Sequence, residues 1–338
     1  MIRPDAKLKE NLFEKDIEKK PTRDGFGLGT VEAGKVNKNV LVLCADLSES
    51  TRAEWFQKEF PDRFVQMGIA EQNMASTAAG FAAVGKIPFI ASYAAFSPGR
   101  NYEQIRTTIA LNEQPVKIGG MHAGVSVGPD GATHQMLEDI GLMRMLPNMV
   151  VINPADAEEA RKAVAAAALT PDPTYIRFGR ASTALFTTSE TPFEIGKAQV
   201  LWESEKPLIT LIATGSLVYQ ALLAARGLES DGIGSIVVNL HTIKPLDEAT
   251  LLTVAKRTGR VVTVEEHQVA GGMGSAVAEY LSELYPVPLL RLGIRDQFGQ
   301  SGEPDELIEH YGLSAPAILH ATRDFTHARK PAHEKHSH

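Results

Sequence analysis

The stretch RFVQMGIAEQNMASTAAGFAAV, residues 63–84, contains the two patterns on which the fold assignment depends. Its first six residues form a short apolar run that predicts a β-strand. Residues 70–84 are small and apolar on every side, which predicts a buried helix. Between them lies an acid, Glu71, at the predicted helix start, where the helix dipole and free N–H groups stabilise negative charge. By itself this position does not distinguish a structural acid from a functional one.

The same alternation of strand and helix continues along the whole chain. Apolar runs predict strands in the first half at 39–45, 63–68, 87–93, 115–122, 149–156 and 174–180. Helical patterns lie between them, including an amphipathic helix at 101–113 and an alanine-rich one at 157–169. A second series of strands and helices begins near residue 198. This order predicts an α/β fold with two domains, each a mostly parallel sheet flanked by helices.

A length of 338 residues is sufficient for two domains, each with its own core. The predicted divisions are a charged and solvated N-terminal arm (1–21), a first domain (22–182), a linker without periodicity (183–197), a second domain (198–325) and a disordered histidine-rich tail (326–338).

Composition narrows the classes of function. The net charge of −7 gives no general reason to bind nucleic acid or anionic membranes. No apolar run is long enough to span a membrane, and the first residues lack the apolar stretch of a signal peptide. Cys44 is the single cysteine and lies in an apolar run, so we expect a buried thiol and no disulfide within the chain. Together these features predict a cytoplasmic protein.

Two glycine clusters need an interpretation. Gly271, Gly272 and Gly274 open a predicted helix after a strand, but their spacing is GGMG rather than GxGxxG, and the strand ends in two glutamates. We interpret them as close backbone packing. The glycines of RDGFGLG, residues 23–29, follow a charged arm and are interpreted as a flexible helix start.

Polar residues follow the predicted strands of the first domain at the point where each strand ends. They are Asp46, Glu71, His122, Asp130 and His134. Ligands in open α/β sheets bind beyond the carboxyl ends of the strands, so these residues predict a site. No cysteine or third histidine lies near the two histidines, and we therefore predict no metal site in this chain.

Several motifs together resemble the transketolase family of thiamine diphosphate enzymes. They are GIAEQNM (68–74), ASYAAFSPGRNYEQIRTT (91–108), GPDGATHQMLEDIGLMRMLPNM (128–149) and, in the second domain, HTIKPLD and VEEHQVAGGMGSAVAE. The resemblance runs from about Thr22 to about residue 325. It implies a pyrimidine-binding domain followed by a transketolase C-terminal domain.

The resemblance does not include the family's N-terminal domain. In the family that domain contains a GDG motif and binds the cofactor's diphosphate through a metal ion. Gly-Asp-Gly is found nowhere in this chain, and neither 129–131 nor 23–25 has the expected downstream context. The chain therefore resembles the second subunit of a split transketolase. The resemblance implies a separate N-terminal subunit that binds Mg²⁺ or Ca²⁺, a thiamine diphosphate shared between the two chains, and a dimer of heterodimers.

Five residues match cofactor-binding positions of the family. Glu71 matches the glutamate that shares a proton with the pyrimidine nitrogen N1′ and so activates the cofactor. Phe96 and Tyr102 match walls of the pyrimidine pocket, with plain core packing as the alternative. Asp46 and Leu47 match an Ala-Asp-Leu motif whose leucine supports the bent cofactor. The stretch SPGRNYEQ is one residue longer than in many relatives, which leaves the assignments from 97 to 101 open.

Five residues match substrate-binding positions. Ser50 matches a phosphate-contacting serine, with a helix N-cap as the alternative. His122 and Arg180 match phosphate-contacting groups, and the histidine favours transketolase over deoxyxylulose-phosphate synthase, which usually has arginine there. Asp130 and His134 match the pair that binds the donor's hydroxyl groups, and His134 could also relay protons. For the last four residues the alternative is a polar side chain that stabilises a loop.

The resemblance implies transfer of a two-carbon ketol unit from a ketose phosphate to an aldose phosphate in the pentose phosphate pathway. One alternative keeps the cofactor and changes the substrate: a deoxyxylulose-phosphate synthase, a dihydroxyacetone synthase or a transketolase for another sugar. A second alternative is a non-catalytic binding subunit. The intact set of Glu71, Asp130 and His134 argues against the second.

Overall fold

A computed structural model gives the structure of the chain and describes residues 1–327. Almost all of the predicted tail, from residue 328 onward, lies outside the described residues.

The strands are, in chain order, β1 (Lys19–Pro21), β2 (Val40–Cys44), β3 (Phe64–Gln66), β4 (Ile87–Tyr93), β5 (Lys117–Met121), β6 (Val150–Ile152), β7 (Thr174–Arg177), β8 (Ser182–Ala184), β9 (Gln199–Glu203), β10 (Ile209–Ala213), β11 (Ser235–Asn239), β12 (Thr242–Lys244), β13 (Val261–Gln268) and β14 (Leu289–Ile294). The α-helices are α1 (Thr22–Val36), α2 (Ser48–Thr51), α3 (Ala53–Glu59), α4 (Glu71–Ala83), α5 (Tyr102–Gln104), α6 (Asp139–Arg144), α7 (Ala157–Ala167), α8 (Leu217–Ser230), α9 (Glu248–Thr258), α10 (Met273–Leu284), α11 (Pro304–His310) and α12 (Ala315–His327). Short 3₁₀ turns lie at Pro4–Ala6, Pro61–Arg63 and Val125–Val127, and a π-helix continues α5 over Ile105–Ala110.

The first sheet has the strand order β12-β6-β7-β5-β4-β2-β3 and is parallel except for β12. All five residues of β2 are buried because helices cover both faces of the sheet. Successive side chains alternate between those faces. Val42 thus packs in a core with α1, α3 and α7, whereas Leu43 packs in another with α4 and α6.

The second sheet has the order β14-β13-β10-β11-β9, and only the edge strand β9 is antiparallel. Both sheets and their flanking helices confirm the predicted α/β class. One apolar core contains side chains of both sheets, among them Ile90 of β4 and Ile236 of β11. The strand β12, from the second half of the sequence, pairs with β6 at the edge of the first sheet. The two halves are therefore packed together through a shared core and a shared sheet.

The N-terminal arm packs against the second half, which differs from the predicted solvated segment. Leu12 and Ile17 are buried in that half's core, and the Tyr219 hydroxyl donates to the Leu12 carbonyl at 2.8 Å. At its end, β1 pairs antiparallel with β8, so the predicted linker begins inside a strand. Apolar residues spaced along a charged segment account for the burial, since they cover the core while the charges stay in water.

The glycines of RDGFGLG are not a flexible helix start, and that interpretation was wrong. They lie inside α1, where a side chain would collide with neighbouring elements. A Cβ on Gly25 would lie 2.3 Å from the Ala157 carbonyl, and one on Gly27 would lie 2.4 Å from the Trp55 ring. The glycines allow α1 to approach α7 and α3 closely, which a one-dimensional pattern does not reveal.

The predicted helix at 101–113 is only partly regular, because α5 changes into a π-helix after one turn. π-Helical turns are frequent beside functional sites. None of the helices between residues 1 and 327 has the length and hydropathy needed to span a bilayer.

Candidate active site

The carboxyl ends of the parallel strands bring distant segments to one edge of the first sheet. β2, β3, β4, β5 and β7 all run in the same direction. The residues that follow their ends, or end them, are Asp46, Glu71, Tyr93, His122 and Arg180. Sheet topology alone therefore gathers residues that are more than a hundred positions apart.

Glu71 is the first residue of α4 and is only 2% exposed. Its carboxylate oxygen Oε2 accepts a hydrogen bond from Arg100 Nη1 at 2.7 Å. Its backbone carbonyl accepts one from the buried Asn101 Nδ2 at 3.1 Å. The loop after β4 thus contacts the acid twice, through two adjacent residues.

Four rings form a cluster beside this acid. Tyr93 stacks on Phe96 with ring centroids 6.0 Å apart and on His122 with centroids 4.0 Å apart. His134 meets the Tyr93 and Phe96 rings edge-on, at 6.0 and 5.5 Å. Tyr93, Phe96 and His134 are only partly buried, so ring surface remains accessible to a ligand. The cluster joins two segments matched separately in the sequence, 91–108 and 128–149.

His122 is uncharged and accepts a hydrogen bond from Arg23. It is 1% exposed, and burial together with the charges of Arg23 and Arg180 lowers its pKa to about 3. Arg23 Nη1 lies 3.0 Å from His122 Nε2, which must accept because the guanidinium can only donate. The same Nη1 also donates to the Ser50 carbonyl at 2.8 Å.

Positive charge concentrates around His122. Burial, and then the charges of Arg52 and Arg180, lower the pKa of Arg23, which indicates cations held close together. Arg180 Nη1 donates to the Val127 carbonyl at 2.9 Å. Within residues 1–327, the buried atoms Arg23 Nε and His122 Nδ1 have no hydrogen-bond partner. Unpaired donors and clustered guanidinium groups suit an anion such as a phosphate.

The second half of the chain holds the loop that carries these histidines. Glu266 Oε1 accepts the Ser126 N–H at 2.5 Å, and a Cβ on Gly124 would lie 2.3 Å from that oxygen. Gly124 has φ +91°, which also favours glycine. Gln135 Nε2 donates to carbonyls on both sides, including Val125 at 3.0 Å and Gln300 at 2.9 Å.

A buried ion pair between Arg177 and Asp139 stabilises the same loop. Arg177 Nε donates to Asp139 Oδ2 at 2.8 Å, with the two side chains 5% and 0% exposed. The Tyr175 hydroxyl donates to the same oxygen at 2.6 Å, and Arg177 Nη2 donates to the Glu266 carbonyl at 2.9 Å. The network links β7, α6 and β13, and so links the two halves of the chain.

Other predicted site residues lie at this edge without direct contacts to the ring cluster. Asp130 is exposed, and its carbonyl accepts from Thr133, next to His134. Asp46 is exposed with φ +57°, and Leu47 is partly buried before α2. Tyr102 packs on the apolar core, and among residues 1–327 it is absent from the ring contacts. Its predicted role as a wall of the pyrimidine pocket stays a prediction.

Three residues of the site were missed in the sequence. Tyr93 stands in the matched stretch ASYAAF but was not assigned, and it is the ring that contacts the other three. Arg23 is the second residue of the glycine-rich helix α1 and has no local signal. Arg100 lies in the stretch whose length differs from many relatives.

The glycines 271–274 provide close packing, as predicted. The Glu265 carboxylate accepts the N–H groups of Met273 and Gly274 at 2.6 and 2.8 Å, and a Cβ on Gly272 would lie 2.2 Å from that carboxylate. In the part of the chain that the structure describes, no three of His, Cys, Asp and Glu are close enough to hold a metal ion.

The residues present fit the pyrimidine half of thiamine diphosphate. A buried carboxylate can share a proton with a ring nitrogen, and the partly exposed Phe96 ring beside it can stack on an aromatic ring. The cationic group around His122 is connected to Phe96 through the Tyr93 ring, and its charge suits an anionic group.

Comparison with known proteins agrees with this geometry. Family models for the transketolase pyrimidine-binding domain and the transketolase C-terminal domain match residues 18–184 and 196–318. A Methanocaldococcus jannaschii protein, named as a transketolase C-terminal section, is 45% identical over 302 residues, covering 88% of this chain and 94% of that protein. The 6-deoxy-6-sulfo-D-fructose transketolase subunit SqwH of Clostridium sp. is 39% identical, covering 93% and 97%.

A solved structure named as a split gene transketolase, inactive beta4 tetramer, has a TM-score of 0.84 and 45% identity. The match covers 90% of this chain and 98% of that one. The chain therefore belongs to the transketolase family and contains that family's pyrimidine-binding and C-terminal domains.

Proposed function

We propose that the chain is the second subunit of a two-subunit transketolase, which transfers a two-carbon ketol unit from a ketose phosphate to an aldose phosphate. The observation that supports this most directly is the joining of Glu71, the aromatic rings and the cationic group in one continuous set of contacts. A non-catalytic binding subunit would not need a buried acid beside a partly exposed aromatic ring.

The cofactor residues have separate tasks in this proposal. When bound, thiamine diphosphate supplies the electron sink needed to break a carbon–carbon bond beside a ketone. Glu71 would hold a proton at the pyrimidine nitrogen from its buried position at the start of α4. Phe96 would orient the pyrimidine by stacking, with Leu47 and Asp46 nearby at the end of β2. Tyr93 would support the Phe96 ring by stacking on it, and Tyr102 would form a second wall.

The substrate residues follow from the cationic group. Arg180, His122 and the adjacent Ser50 would bind the sugar's phosphate, and Arg23 joins them through its hydrogen bonds to His122 and to the Ser50 carbonyl. His134 would face the reacting carbons and relay protons, while Asp130 in the same turn would bind a hydroxyl group. A neutral His122 suits this role because it can donate through Nδ1 without competing with the arginines for charge.

The missing half would come from another chain. Both relatives are covered almost completely by this chain and are named as a C-terminal section and a subunit. We propose a separate N-terminal subunit that binds the diphosphate through Mg²⁺ or Ca²⁺, and a dimer of heterodimers. The proposal includes the pentose phosphate pathway and a cytoplasmic location, in keeping with the free, buried Cys44.

A second candidate differs in the sugar. The relative named for 6-deoxy-6-sulfo-D-fructose favours it, and guanidinium groups bind a sulfonate as readily as a phosphate. Deoxyxylulose-phosphate synthase stays the alternative with another donor, and it would release CO₂ from pyruvate.

The test is a donor-to-acceptor assay with xylulose 5-phosphate and ribose 5-phosphate, thiamine diphosphate and Mg²⁺. It uses this chain alone, the chain with its candidate partner, and the pair carrying Glu71→Gln. Activity in the pair only, lost in the variant, is the expected result. Activity of the chain alone would refute the two-subunit proposal. The assay is repeated with 6-deoxy-6-sulfo-D-fructose as donor, and a pair that binds the cofactor but transfers only from this sugar would support the second candidate.

A further inference from the structure

Arg100 contacts the two groups that the proposed function assigns to the cofactor's pyrimidine. Its Nη1 lies 2.7 Å from Oε2 of Glu71, and its guanidinium lies 4.7 Å from the centroid of the Phe96 ring. A planar cation thus covers an aromatic face and pairs with the acid beside it. A pyrimidine stacked on Phe96 and bonded to Glu71 needs the same space.

We propose that Arg100 is a displaceable plug that closes the pyrimidine pocket of the cofactor-free chain and swings out when the cofactor binds. This inference rests on the proposed function. The plug imitates the cofactor in two respects, since it is a flat group on the ring and a hydrogen-bond donor to the acid.

The surrounding loop allows the side chain to move without moving its backbone. Asn101 is fully buried, and its Nδ2 donates both to the Glu71 carbonyl and to Ser97 Oγ at 3.1 Å. These bonds anchor the loop to α4 directly beside the plug. The Arg100 side chain itself is 46% exposed, so rotation into solvent is open to it.

Exchange of Arg100 for the cofactor leaves the buried Glu71 carboxylate with a hydrogen-bond partner in both states. Glu71 is 2% exposed, and a buried carboxylate without a partner is strongly unfavourable. Arg100 pairs with that carboxylate until the cofactor replaces it. The acid can therefore stay buried in both states.

The plug lowers cofactor affinity, because only the fraction of chains with Arg100 displaced can bind. We test this with the assembled pair of subunits, titrated with thiamine diphosphate and Mg²⁺ by calorimetry and by stopped-flow fluorescence. Arg100→Ala is compared with wild type and with Arg106→Ala, which removes an exposed arginine from the same segment. We expect Arg100→Ala to lower the Kd about tenfold or more through faster association, and Arg106→Ala to have no effect.

A second measurement examines the cofactor-free chain. Arg100→Ala should lower its melting temperature, because Glu71 loses its partner, and Glu71→Gln added to that variant should restore most of the loss. Arg100→Gln, which keeps a polar side chain without the charge, replaces the alanine variant in both measurements if that variant folds poorly.

The outcomes distinguish a failure of the Arg100 plug from a failure of the proposed function. If wild type and Arg100→Ala both bind the cofactor with the same Kd, or the variant binds more weakly, the plug is wrong and the proposed function stands. If neither variant nor wild type binds thiamine diphosphate with the partner present, the proposed function is wrong as well.

Discussion

Acids and histidines end parallel strands in both halves of the molecule, with opposite results. In the first half Glu71, His122 and His134 lie at one edge of the sheet, beside partly exposed rings and buried donors that have no partner within residues 1–327. In the second half β13 ends in Glu265, Glu266 and His267, all 5% exposed or less.

The polar side chains near the end of β13 form hydrogen bonds within the protein. Glu265 caps α10, Glu266 holds the loop at Ser126, and His267 Nε2 accepts the Gly141 N–H at 3.3 Å. Residue type and strand topology therefore do not distinguish residues of a binding site from residues that only stabilise the fold. What distinguishes them is the kind of partner. Glu265 and Glu266 accept backbone N–H groups, whereas Glu71 pairs with a partly exposed arginine side chain and His122 Nδ1 has no partner within residues 1–327.

The largest effect is expected from a matched pair of acid-to-amide changes. Glu71→Gln should lower kcat of the assembled pair by about 10²–10⁴-fold, because an amide cannot share an acidic proton with the pyrimidine nitrogen, with little change in melting temperature. Glu265→Gln should keep the activity but destabilise the chain by about 1–3 kcal/mol, since an amide cannot accept both N–H groups. Equal loss of activity in the two variants would remove the distinction between site and support.

The buried ion pair beneath the site comes next. Arg177→Met should lower the free energy of unfolding by about 3–5 kcal/mol, because it leaves the Asp139 carboxylate buried without its cation. The double variant with Asp139→Leu should recover part of that loss in urea unfolding. Strictly additive losses would mean that the pair is not coupled.

A pH dependence distinguishes the buried histidines from the buried acids. Burial lowers the pKa of His267 from 6.5 to about 4, so its contribution to stability is complete above pH 6.5 and is lost as the pH falls through 4. The loss is on the order of 3 kcal/mol. Glu265 acts in the opposite direction, since burial raises its pKa to about 7 and its contribution declines from about pH 4.5 to 7.

The measurement is urea unfolding of wild type and His267→Gln at intervals from pH 4 to 8. The difference between the two curves isolates the histidine from the acids. It should narrow as the pH falls below 6.5, and two parallel curves would contradict the assignment.

The smallest effects are expected from glycines. Gly25→Ala should destabilise the chain by about 1–3 kcal/mol through its collision with Ala157. Gly80→Ala, in α4 with no atom within 4 Å of the added Cβ, should stabilise it by about 0.5–1 kcal/mol. Thermal melts of the two variants check the signs, and a stabilising Gly25→Ala would rule out close packing of α1 on α7.

The sequence by itself determined the α/β class and most strands, and it identified the residues that are proposed for the site. Strand β4 is observed over the predicted residues, and β2 differs by one residue at each end. Glu71 and His122 could be singled out because acids and histidines at strand ends interrupt apolar patterns. Local periodicity is a property of the chain, and short-range physics is sufficient to interpret it.

Only the tertiary structure decided which groups contact each other. Tyr93 stacks on Phe96, Arg23 reaches His122 across 99 positions, and Arg100 pairs with Glu71. The packed arm and the glycines of α1 likewise depend on neighbours distant in sequence. Hydrogen-bond partners, burial and charge interactions are set by sheet register and packing across the whole chain, and no local pattern encodes them.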